Sequence, residues 1–541
     1  MLAFFLNGIV VDLENCRSIT EIDGVLKNSI EPLYKKVPEF SLLKGKSRAS
    51  VEATNHAQGT NKTYYGFDLT MEETRALLGA HSFLLILAGT ETAYKAFVRH
   101  QNLVPGKKPI LRFGQSRDEL ASSTFLGMHN FIKFIEPRIR AAMFYAALIN
   151  DLGKTELLKE MYREQFNKDP EDNDETLGKI LVNNPQFEAF NAFDESLKKL
   201  IMRCFNMPCT FSELQQIERP KQSLKLFSGM AKEDLWFHYC MEYFGDVPGA
   251  VLPPADENGN MVAASQTMHQ ETVEHIAFVY DYFVSRYDAS TAYDFVKAYQ
   301  DYANIRLSLC GLNPYQTDLT PILPIIKFAI GASRTGTPER GAQIVSMVSD
   351  LPQCVKDILI REFETLNLDQ SIYMLNIVPL VMGPFYPIAP RIKEGMTVGL
   401  CLAAYLYEET RKIYPGNTNK EFKANASHLA GLFNSNVTTN LKEKILAFYE
   451  AIKGITDINQ VRINLAGIFQ QEITPVPASN GVRFLVNKIE KVKVLATMES
   501  SAVPEGNEGN TGLVGTLFLS RRAITSNIVD ISSKQTTPSL K

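Results

Sequence analysis

The stretch FYAALINDLGK at residues 144–154 indicates the fold class and supplies the first candidate site. Its first six residues are typical of a buried helix. Asn150 and Asp151 stand where that helix ends, and Gly153 suits the left-handed position that follows many helices. The stretch therefore predicts a buried helix that carries an Asn-Asp pair at its carboxyl end. Two roles are open for the pair: contact with a ligand, or capping and turning of the chain.

Apolar residues recur at helical spacing over much of the remaining chain. The clearest segments are 70–80, 131–150, 154–166, 194–206, 268–287 and 441–454. Thr70, followed by Glu73 three residues later, makes a capping box for a helix over 71–79. Only GIVVDL (8–13) and GVRFLVNKI (481–489) are plausible strands. The sequence predicts an all-α protein, a multi-helix bundle with additional C-terminal helices.

A chain of 541 residues is too long for one ordinary core, so several domains are expected. Polar breaks rich in Gly, Pro, Asn and Asp separate its parts. The predicted parts are an N-terminal segment that packs on the core (1–60), a helical domain (61–290), a helical extension (291–430), a C-terminal helical hairpin region (431–500) and a mobile tail (501–541). Within the hairpin region, the patterns at 441–454 and 457–470 predict an αα-hairpin.

Composition excludes several classes of protein. A net charge of −4 leaves no overall positive field for nucleic acid or anionic lipid, and no nucleic-acid partner is predicted. Seven scattered cysteines with no Cys-x-x-Cys pair are typical of reduced thiols in a reducing compartment. The uncharged stretch 370–390 carries four prolines, which would break a spanning helix repeatedly. No transmembrane segment is therefore predicted.

The pattern AALINDLGK (146–154) resembles the second-helix sequence AALLHDIGK of the HD superfamily of metal-dependent phosphohydrolases. The resemblance covers roughly residues 120–250. It implies a divergent HD-like helical core whose metal ligands come from three helices. Carried over position by position, it implies that His129, Asp151 and Asp246 are the ligands, with Asp234 as a less favoured alternative to Asp246.

The chain departs from the HD pattern at two ligand positions. Asn150 stands in place of the histidine of the His-Asp pair, and Asn184 before Pro185 stands in place of a second histidine. A carboxamide oxygen is a weak neutral ligand that suits hard cations better than zinc or iron. The resemblance therefore implies a site for Mg²⁺ or Mn²⁺, or a fold that persists without a metal.

Three further side chains are candidates for catalysis. Arg117 is a predicted phosphate contact because its loop lies just upstream of His129 and could reach the same cavity, and Lys154 could contact the phosphate from the opposite side. His238 precedes Glu242 by four residues and Asp246 by eight, so a continuous helix would place all three on one face. His238 is then a candidate general base, or a half-buried histidine paired with a carboxylate.

Two functions from different classes follow from these residues. The first is metal-assisted hydrolysis of a phosphoester or nucleotide, whose partner is a phosphorylated small molecule. The second is a catalytically inactive helical scaffold that binds a protein partner. The helical body and the polar tail with Glu499, Glu505 and Glu508 also resemble secreted effectors of intracellular bacteria. The expected location is the cytoplasm, or the cytosol of a host cell after secretion.

Overall fold

Helices make up most of the described chain, which confirms the predicted helical class. The computed structural model describes residues 2–44, 63–101, 119–170, 173–207, 211, 230–286, 295–333, 337–364, 372–375, 377–388, 391–415, 423–426, 429, 432–433, 438–478 and 481–488. Within these ranges, no helix combines the length and apolar character that crossing a bilayer requires.

The first part of the chain contains thirteen α-helices among its described residues. They are α1 (Leu2–Asn15), α2 (Ile19–Lys36), α3 (Met71–Ala88), α4 (Glu91–Val98), α5 (Ser122–Ile132), α6 (Pro137–Ile149), α7 (Glu156–Phe166), α8 (Asn173–Asn183), α9 (Glu188–Asn191), α10 (Glu195–Phe205), α11 (Lys232–Met241), α12 (Gln270–Tyr280) and α13 (Phe295–Leu309). Short 3₁₀ turns lie at Pro38–Lys44, Asn150–Lys154 and Val247–Gly249, and π-helical turns lie at Glu242–Asp246 and Asp281–Ser285. Strands β1 (Thr63–Tyr64) and β2 (Asn260–Met261) form a short parallel pair.

Helix α3 is the central element of the first core. The predicted capping box is confirmed, since the Thr70 hydroxyl accepts from the Glu73 backbone N–H at 3.2 Å and the Glu73 carboxylate accepts from the Thr70 N–H at 2.9 Å. The helix is buried along almost its whole length and runs to Ala88, well beyond the predicted end. It packs against α1, α6 and the segment 242–249. A helix that is apolar all round is expected at such a central position.

The predicted strand over residues 8–13 is wrong, because GIVVDL lies inside α1. Leu6, Ile9, Val10 and Leu13 are the buried residues of this helix. Their three- and four-residue spacing is helical, and it becomes visible only when the window extends past the six residues that suggested a strand.

The second part of the chain continues with further helices and a sheet. The helices are α14 (Leu323–Ser333), α15 (Pro338–Ser349), α16 (Gln353–Glu364), α17 (Ile377–Met382), α18 (Ile392–Ile413), α19 (Leu441–Ile452) and α20 (Asn459–Phe469), with 3₁₀ turns at Thr320–Ile322 and Tyr386–Ile388. The strands are β3 (Tyr373–Leu375), β4 (Lys423–Asn425), β5 (Gln471–Ala478) and β6 (Gly481–Lys488). They form a sheet in the order β3-β4-β6-β5, in which only β5 and β6 are antiparallel. The all-α prediction therefore holds for most of the chain and misses this sheet.

The strand predicted at 481–489 is confirmed as β6, but its partner β5 was not predicted. Pro475 and Pro477 interrupt the strand pattern there. Both prolines lie in an edge strand, two positions apart in sequence. The positions of their missing N–H groups therefore fall on the same side of the strand. The full antiparallel register with β6 over residues 471–478 is kept. We infer that the prolines face the open edge, where no ladder hydrogen bond is lost.

The described residues belong to one compact unit, Met1–Ile489, with two hydrophobic cores. Helix α13 joins the two cores, since Tyr302 packs in the first and Leu307 in the second. The predicted αα-hairpin is confirmed as α19 and α20, and Asn464 donates a hydrogen bond across it to the Ala451 carbonyl at 3.1 Å.

All four predicted domain boundaries, at 60, 290, 430 and 500, lie outside the described residues. The predicted tail at 501–541 lies outside them too, and so do the glutamates on which the likeness to secreted effectors rests. The domain division, the mobile tail and secretion therefore stay predictions.

Candidate functional site

The stretch that opened the sequence analysis forms a helix followed by a 3₁₀ turn. Helix α6 is buried from Ala141 to Ile149 and ends there, and residues 150–154 make the turn. Thr155 then caps α7, with its hydroxyl accepting from the Leu158 N–H at 3.4 Å. Gly153 lies inside the turn, and a left-handed conformation after α6 is not adopted at this residue. The turn therefore lies between the end of α6 and the cap of α7, and its Asp151 and Lys154 side chains face α3.

Five charged side chains from three segments meet at this turn, and we call them the carboxylate–cation cluster. They are Glu72 and Arg75 of α3, Asp151 and Lys154 of the 3₁₀ turn, and Asp246 of the π-helical turn. Arg75 Nη1 lies 3.2 Å from Glu72 Oε2 and 3.6 Å from Asp151 Oδ2. Lys154 Nζ is in contact with Asp151 Oδ1 and lies 3.9 Å from Glu72 Oε2. The protein thereby supplies its own cations to the buried carboxylates.

The two central carboxyl groups differ in their protonation. Burial, the charge of Asp151 and a hydrogen bond with Asp151 raise the pKa of Glu72 to about 7, against the pull of Lys154 and Arg75. Burial also raises the pKa of Asp151, but Lys154, Arg75 and the hydrogen bond from Glu72 outweigh it and hold this pKa below its ordinary value. Of the two, Glu72 is therefore the one that takes up a proton as the pH falls through about 7, and it can then donate a hydrogen bond to the Asp151 carboxylate.

Close backbone packing brings Asp246 to the cluster. A Cβ atom on Gly79 would lie only 2.0 Å from the Gly245 carbonyl oxygen, so α3 and the π-helical turn approach at backbone distance. The Asn150 side chain is hydrogen bonded to Asp246. Burial and the charge of Asp151 raise the pKa of Asp246, partly offset by Arg75. The Asn of the Asn-Asp pair therefore contacts a carboxylate from a distant part of the chain.

The sequence predicted that His238, Glu242 and Asp246 share one helix face. In the structure His238 lies beside Glu242, but Asp246 does not join them. His238 Nε2 lies 3.4 Å from Glu242 Oε2, at ion-pair distance, although it makes no hydrogen bond of good geometry. Asp246 points instead to the cluster around Asp151. The cause is the π-helical turn at 242–246, whose wider turn rotates the residues that follow out of register with an α-helix.

The structure places His238 in a second buried polar group, which we call the Cys–His–Glu group. His238 Nδ1 lies 3.2 Å from Cys204 Sγ of α10, and Glu242 Oε2 accepts a hydrogen bond from the Phe211 N–H at 2.7 Å. Burial alone would lower the pKa of His238, but the nearby Cys204 and Glu242 raise it to about 10. His238 is thus separated from Asp151 and Lys154, with which it was predicted to act.

His129 is not brought to the other two predicted metal ligands. Its Nδ1 lies 3.1 Å from the Ile86 carbonyl oxygen and 3.0 Å from that of Leu87, so this nitrogen carries the proton and donates to the carboxyl end of α3. Arg75 lies near the opposite end of the same helix. At 1.5 Å of rise per residue, the Ile86 carbonyl is about 17 Å along the axis from Arg75. The predicted convergence of His129 with Asp151 and Asp246 is therefore wrong.

The remaining candidates are partly accounted for. Arg117 lies outside the described residues, and its role as a phosphate contact stays a prediction. Lys154, the other predicted phosphate contact, is engaged by carboxylates, although 31 % of its side chain is exposed. Asn184, which stands where the HD resemblance implies a histidine, accepts a hydrogen bond from the Gln186 N–H at 2.9 Å and so shapes a turn.

The cluster fits a divalent cation poorly. The predicted histidine ligand lies far away, and Asp151 is already neutralised by two cationic side chains. A metal bound to Asp151 would have to share its carboxylate with Lys154. Over the ranges that the structure describes, no group of three or more His, Cys, Asp or Glu side chains is arranged to hold a metal ion.

Sequence reasoning missed Glu72 and Arg75, although a signal for them was present. The segment MEETRALLGAH (71–81) carries both charges in the first turns of a helix that is otherwise apolar on all sides. The capping box explained Glu73 and left the other two without an assigned role. A charged pair three residues apart on a helix without a polar face signals that both are buried and need partners.

Comparison with known proteins gives one partial match. A model of a family of unknown function, DUF6829, matches residues 107–311. Neither a curated protein nor a solved structure matches the chain significantly. The matched range includes the 3₁₀ turn with Asp151 and Lys154, and it includes Asp246 and the Cys–His–Glu group. It begins after α3, so Glu72 and Arg75 lie outside it.

Proposed function

We propose that the chain is a helical scaffold that binds a protein partner and that its HD-like centre holds no metal. One observation carries the proposal: the cations beside Asp151 and Glu72 are side chains of the protein itself. Lys154 contacts Asp151 and Arg75 lies 3.6 Å from it, so the carboxylate that a metal would need is already neutralised. The exchange of two family histidines for Asn150 and Asn184 supports the same conclusion.

Electrostatic repulsion gives this argument its physical basis. Two unit charges 4 Å apart near a protein surface interact by about 4 kcal/mol, and a divalent ion doubles that energy. An ion at Asp151 would meet this repulsion from Lys154 and from Arg75. It would also lose the imidazole nitrogen that the resemblance implies, since His129 binds the end of α3. Proton sharing between Glu72 and Asp151 lowers the negative charge of the cluster further.

A groove elsewhere in the first core is suited to a protein partner. A cavity of about 340 Å³ lies between α1, α2, α6 and the segment 188–197. Leu2, Phe193 and Leu197 contribute apolar surface, and Lys35 and Arg138 stand among the residues around it. The groove is lined by three cations, Lys35, Lys36 and Arg138, and by two carboxylates, Glu188 and Asp194, of which Asp194 pairs with Arg138 at 3.5 Å. This chemistry favours an acidic segment that carries one or two apolar side chains.

A peptide-binding experiment tests this assignment. The probe is a fluorescein-labelled amphipathic peptide with Leu on one face and Glu on the other, titrated into the full chain and followed by anisotropy. We expect saturable binding that weakens with salt and falls several-fold in Lys35→Glu. Lys95→Glu on α4, where the side chain is 60 % exposed, is the matched control and should bind as the wild type does. Absence of saturable binding, or an equal loss in both variants, would contradict the assignment.

Metal-assisted hydrolysis of a phosphoester or nucleotide is the second candidate, and a different observation favours it. Asp246 lies near Asp151, as the HD resemblance implies, and Lys154 is partly exposed beside them. Its test is turnover of bis(p-nitrophenyl) phosphate by the full chain with Mg²⁺ or Mn²⁺. Metal-dependent turnover that disappears in Asp151→Ala would favour the hydrolase and displace the scaffold. Turnover that is the same in that variant would come from a contaminant.

A further inference from the structure

The Cys204 thiol contacts one nitrogen of the His238 ring, and the Glu242 carboxylate lies beside the other nitrogen. The Sγ–Nδ1 distance of 3.2 Å lies within hydrogen-bond range for sulfur, and Glu242 lies 3.4 Å from the other ring nitrogen. The Phe211 N–H fixes the carboxylate at 2.7 Å. Such an arrangement activates a thiol, because the imidazole accepts its proton and the carboxylate stabilises the imidazolium that forms. None of the three residues belongs to the carboxylate–cation cluster.

The surroundings of the group restrict what can react there. Cys204 is 2 % exposed, His238 4 % and Glu242 3 %. The Phe211 ring packs beside the His238 ring, with centroids 5.5 Å apart. The interactions that raise the pKa of His238 come from Cys204 on α10 and from Glu242 in the π-helical turn. A buried site with a carboxylate beside it favours a reagent that is small and uncharged.

We propose that Cys204 is a reactive thiol whose natural reagent is a small neutral peroxide, with His238 as the cation beside the sulfur that activates it and Glu242 as a positioning residue. Because Cys204 and Glu242 raise the pKa of His238, Nδ1 holds its proton 3.2 Å from Sγ, and the sulfur anion paired with it attacks one oxygen of hydrogen peroxide. The O–O bond breaks, and the departing hydroxide takes the proton from Nδ1. The products are a sulfenic acid on Cys204, one water and neutral His238, so sulfur is oxidised and peroxide is reduced.

A second buried cysteine provides an internal control. Cys240 lies on α11 and is completely buried, but burial alone raises its pKa, well above the ordinary value. It therefore shares the burial of Cys204 without the activating geometry. Cys16 is a third reference, since it is partly exposed and its thiol donates to the Asp12 carbonyl at 3.3 Å. Comparison of the three thiols separates chemical activation from access.

The experiment treats the full chain with dilute hydrogen peroxide in the presence of dimedone, which traps sulfenic acids, and measures labelling of each cysteine by mass spectrometry. We expect Cys204 to be labelled at least about tenfold faster than Cys240 and Cys16 near pH 7. Its rate should change little between about pH 6 and pH 8, whereas that of an unactivated thiol rises about tenfold per pH unit. His238→Gln should abolish the advantage, and Glu242→Gln should reduce it.

Four results would overturn the proposal. They are no labelling of Cys204, labelling no faster than that of Cys240, a rate that rises with pH as it does at Cys16, and an unchanged rate in His238→Gln. The pH profile of the wild-type chain needs no substitution, so the proposal stays testable if either variant fails to fold. Cys204→Ser confirms the assignment of the labelled peptide.

Discussion

The carboxylate–cation cluster and the Cys–His–Glu group both take residues from the segment 232–246, yet their electrostatics differ. His238 and Glu242 belong to the Cys–His–Glu group, whereas Asp246 belongs to the carboxylate–cation cluster. In the cluster, Arg75 and Lys154 supply permanent positive charge. In the Cys–His–Glu group, His238 contributes positive charge only while its ring is protonated. A π-helical turn between them divides what would be one helix face into two environments.

This difference indicates where chemistry is expected in the molecule. A carboxylate that already has two cationic side chains beside it has little affinity for a further cation. A site whose charge depends on one proton can gain or lose that proton during a reaction. The family resemblance pointed to the cluster, but the geometry favours the Cys–His–Glu group as the reactive one. Three predictions test the cluster side of this contrast and one tests the position of His129, from the largest effect to the smallest.

The first prediction is that Asp151→Ala strongly destabilises the protein. The substitution leaves Lys154 and Arg75 without their shared carboxylate, and breaking a buried ion pair costs about 3–5 kcal/mol. Urea denaturation followed by circular dichroism measures the free energy of unfolding. Asp169→Ala is the matched control, because this aspartate pairs with Arg163 but its side chain is 83 % exposed, and it should lose under about 1 kcal/mol. Equal losses in the two variants would mean that the cluster contributes no more than a surface pair.

The second prediction concerns pH and Glu72. Its pKa of about 7 in the folded protein is above the ordinary value of 4.5. Its contribution to stability is therefore fully present below about pH 4.5 and is lost as the pH rises through about 7. Glu72→Gln stays neutral, so it should gain stability relative to the wild type across this window, by up to about 3 kcal/mol.

The measurement for Glu72 is the free energy of unfolding of both proteins at several pH values in that window. Glu450→Gln on the exposed side of α19 is the control, since its carboxylate makes only a surface contact with Lys453. A wild-type-to-variant difference that does not change with pH would show that Glu72 and Asp151 do not share a proton.

The third prediction tests the position of His129, which belongs to neither polar group. Gly89 ends α3 with a φ of 64°, and a Cβ atom there would lie 2.3 Å from His129 Nδ1. Gly89→Ala should therefore cost about 1–3 kcal/mol through backbone strain and this clash. Adding His129→Ala removes the clash, so the double variant should be less destabilised than the sum of the two single variants. Strict additivity would contradict the placement of His129 at this helix end.

The helices of this chain were predictable because their signals are local. The capping box at Thr70, the buried helix before Asn150 and the αα-hairpin all follow from residues within a few turns of one another. The strand β5 was hidden because Pro475 and Pro477 are acceptable only at a sheet edge, and sequence does not reveal which strand is at an edge. The strand predicted at residues 8–13 was wrong because a six-residue window is too short to separate the helical period from the strand period.

The candidate site was less predictable because its parts come from distant segments. Asp151 and Lys154 were found from the family pattern, but their partners on α3 lie about eighty residues earlier in the chain. The π-helical turn that sends Asp246 to the cluster leaves no simple mark in the sequence. Cys204 and His238 are separated by the segment 205–237, so no spacing rule joins them. The position of His129 depends on the length of α3, which exceeds the predicted helix.

The fourth prediction, with the smallest expected effect, is that divalent metal does not bind at the cluster. The direct measurement is a Mn²⁺ titration of the full chain by electron paramagnetic resonance, with Asp151→Asn beside the wild type. Because Arg75 and Lys154 already neutralise Asp151, we predict no saturable binding that depends on this residue. Stoichiometric Mn²⁺ binding by the wild type that is lost in Asp151→Asn would contradict the metal-free centre and restore the hydrolase.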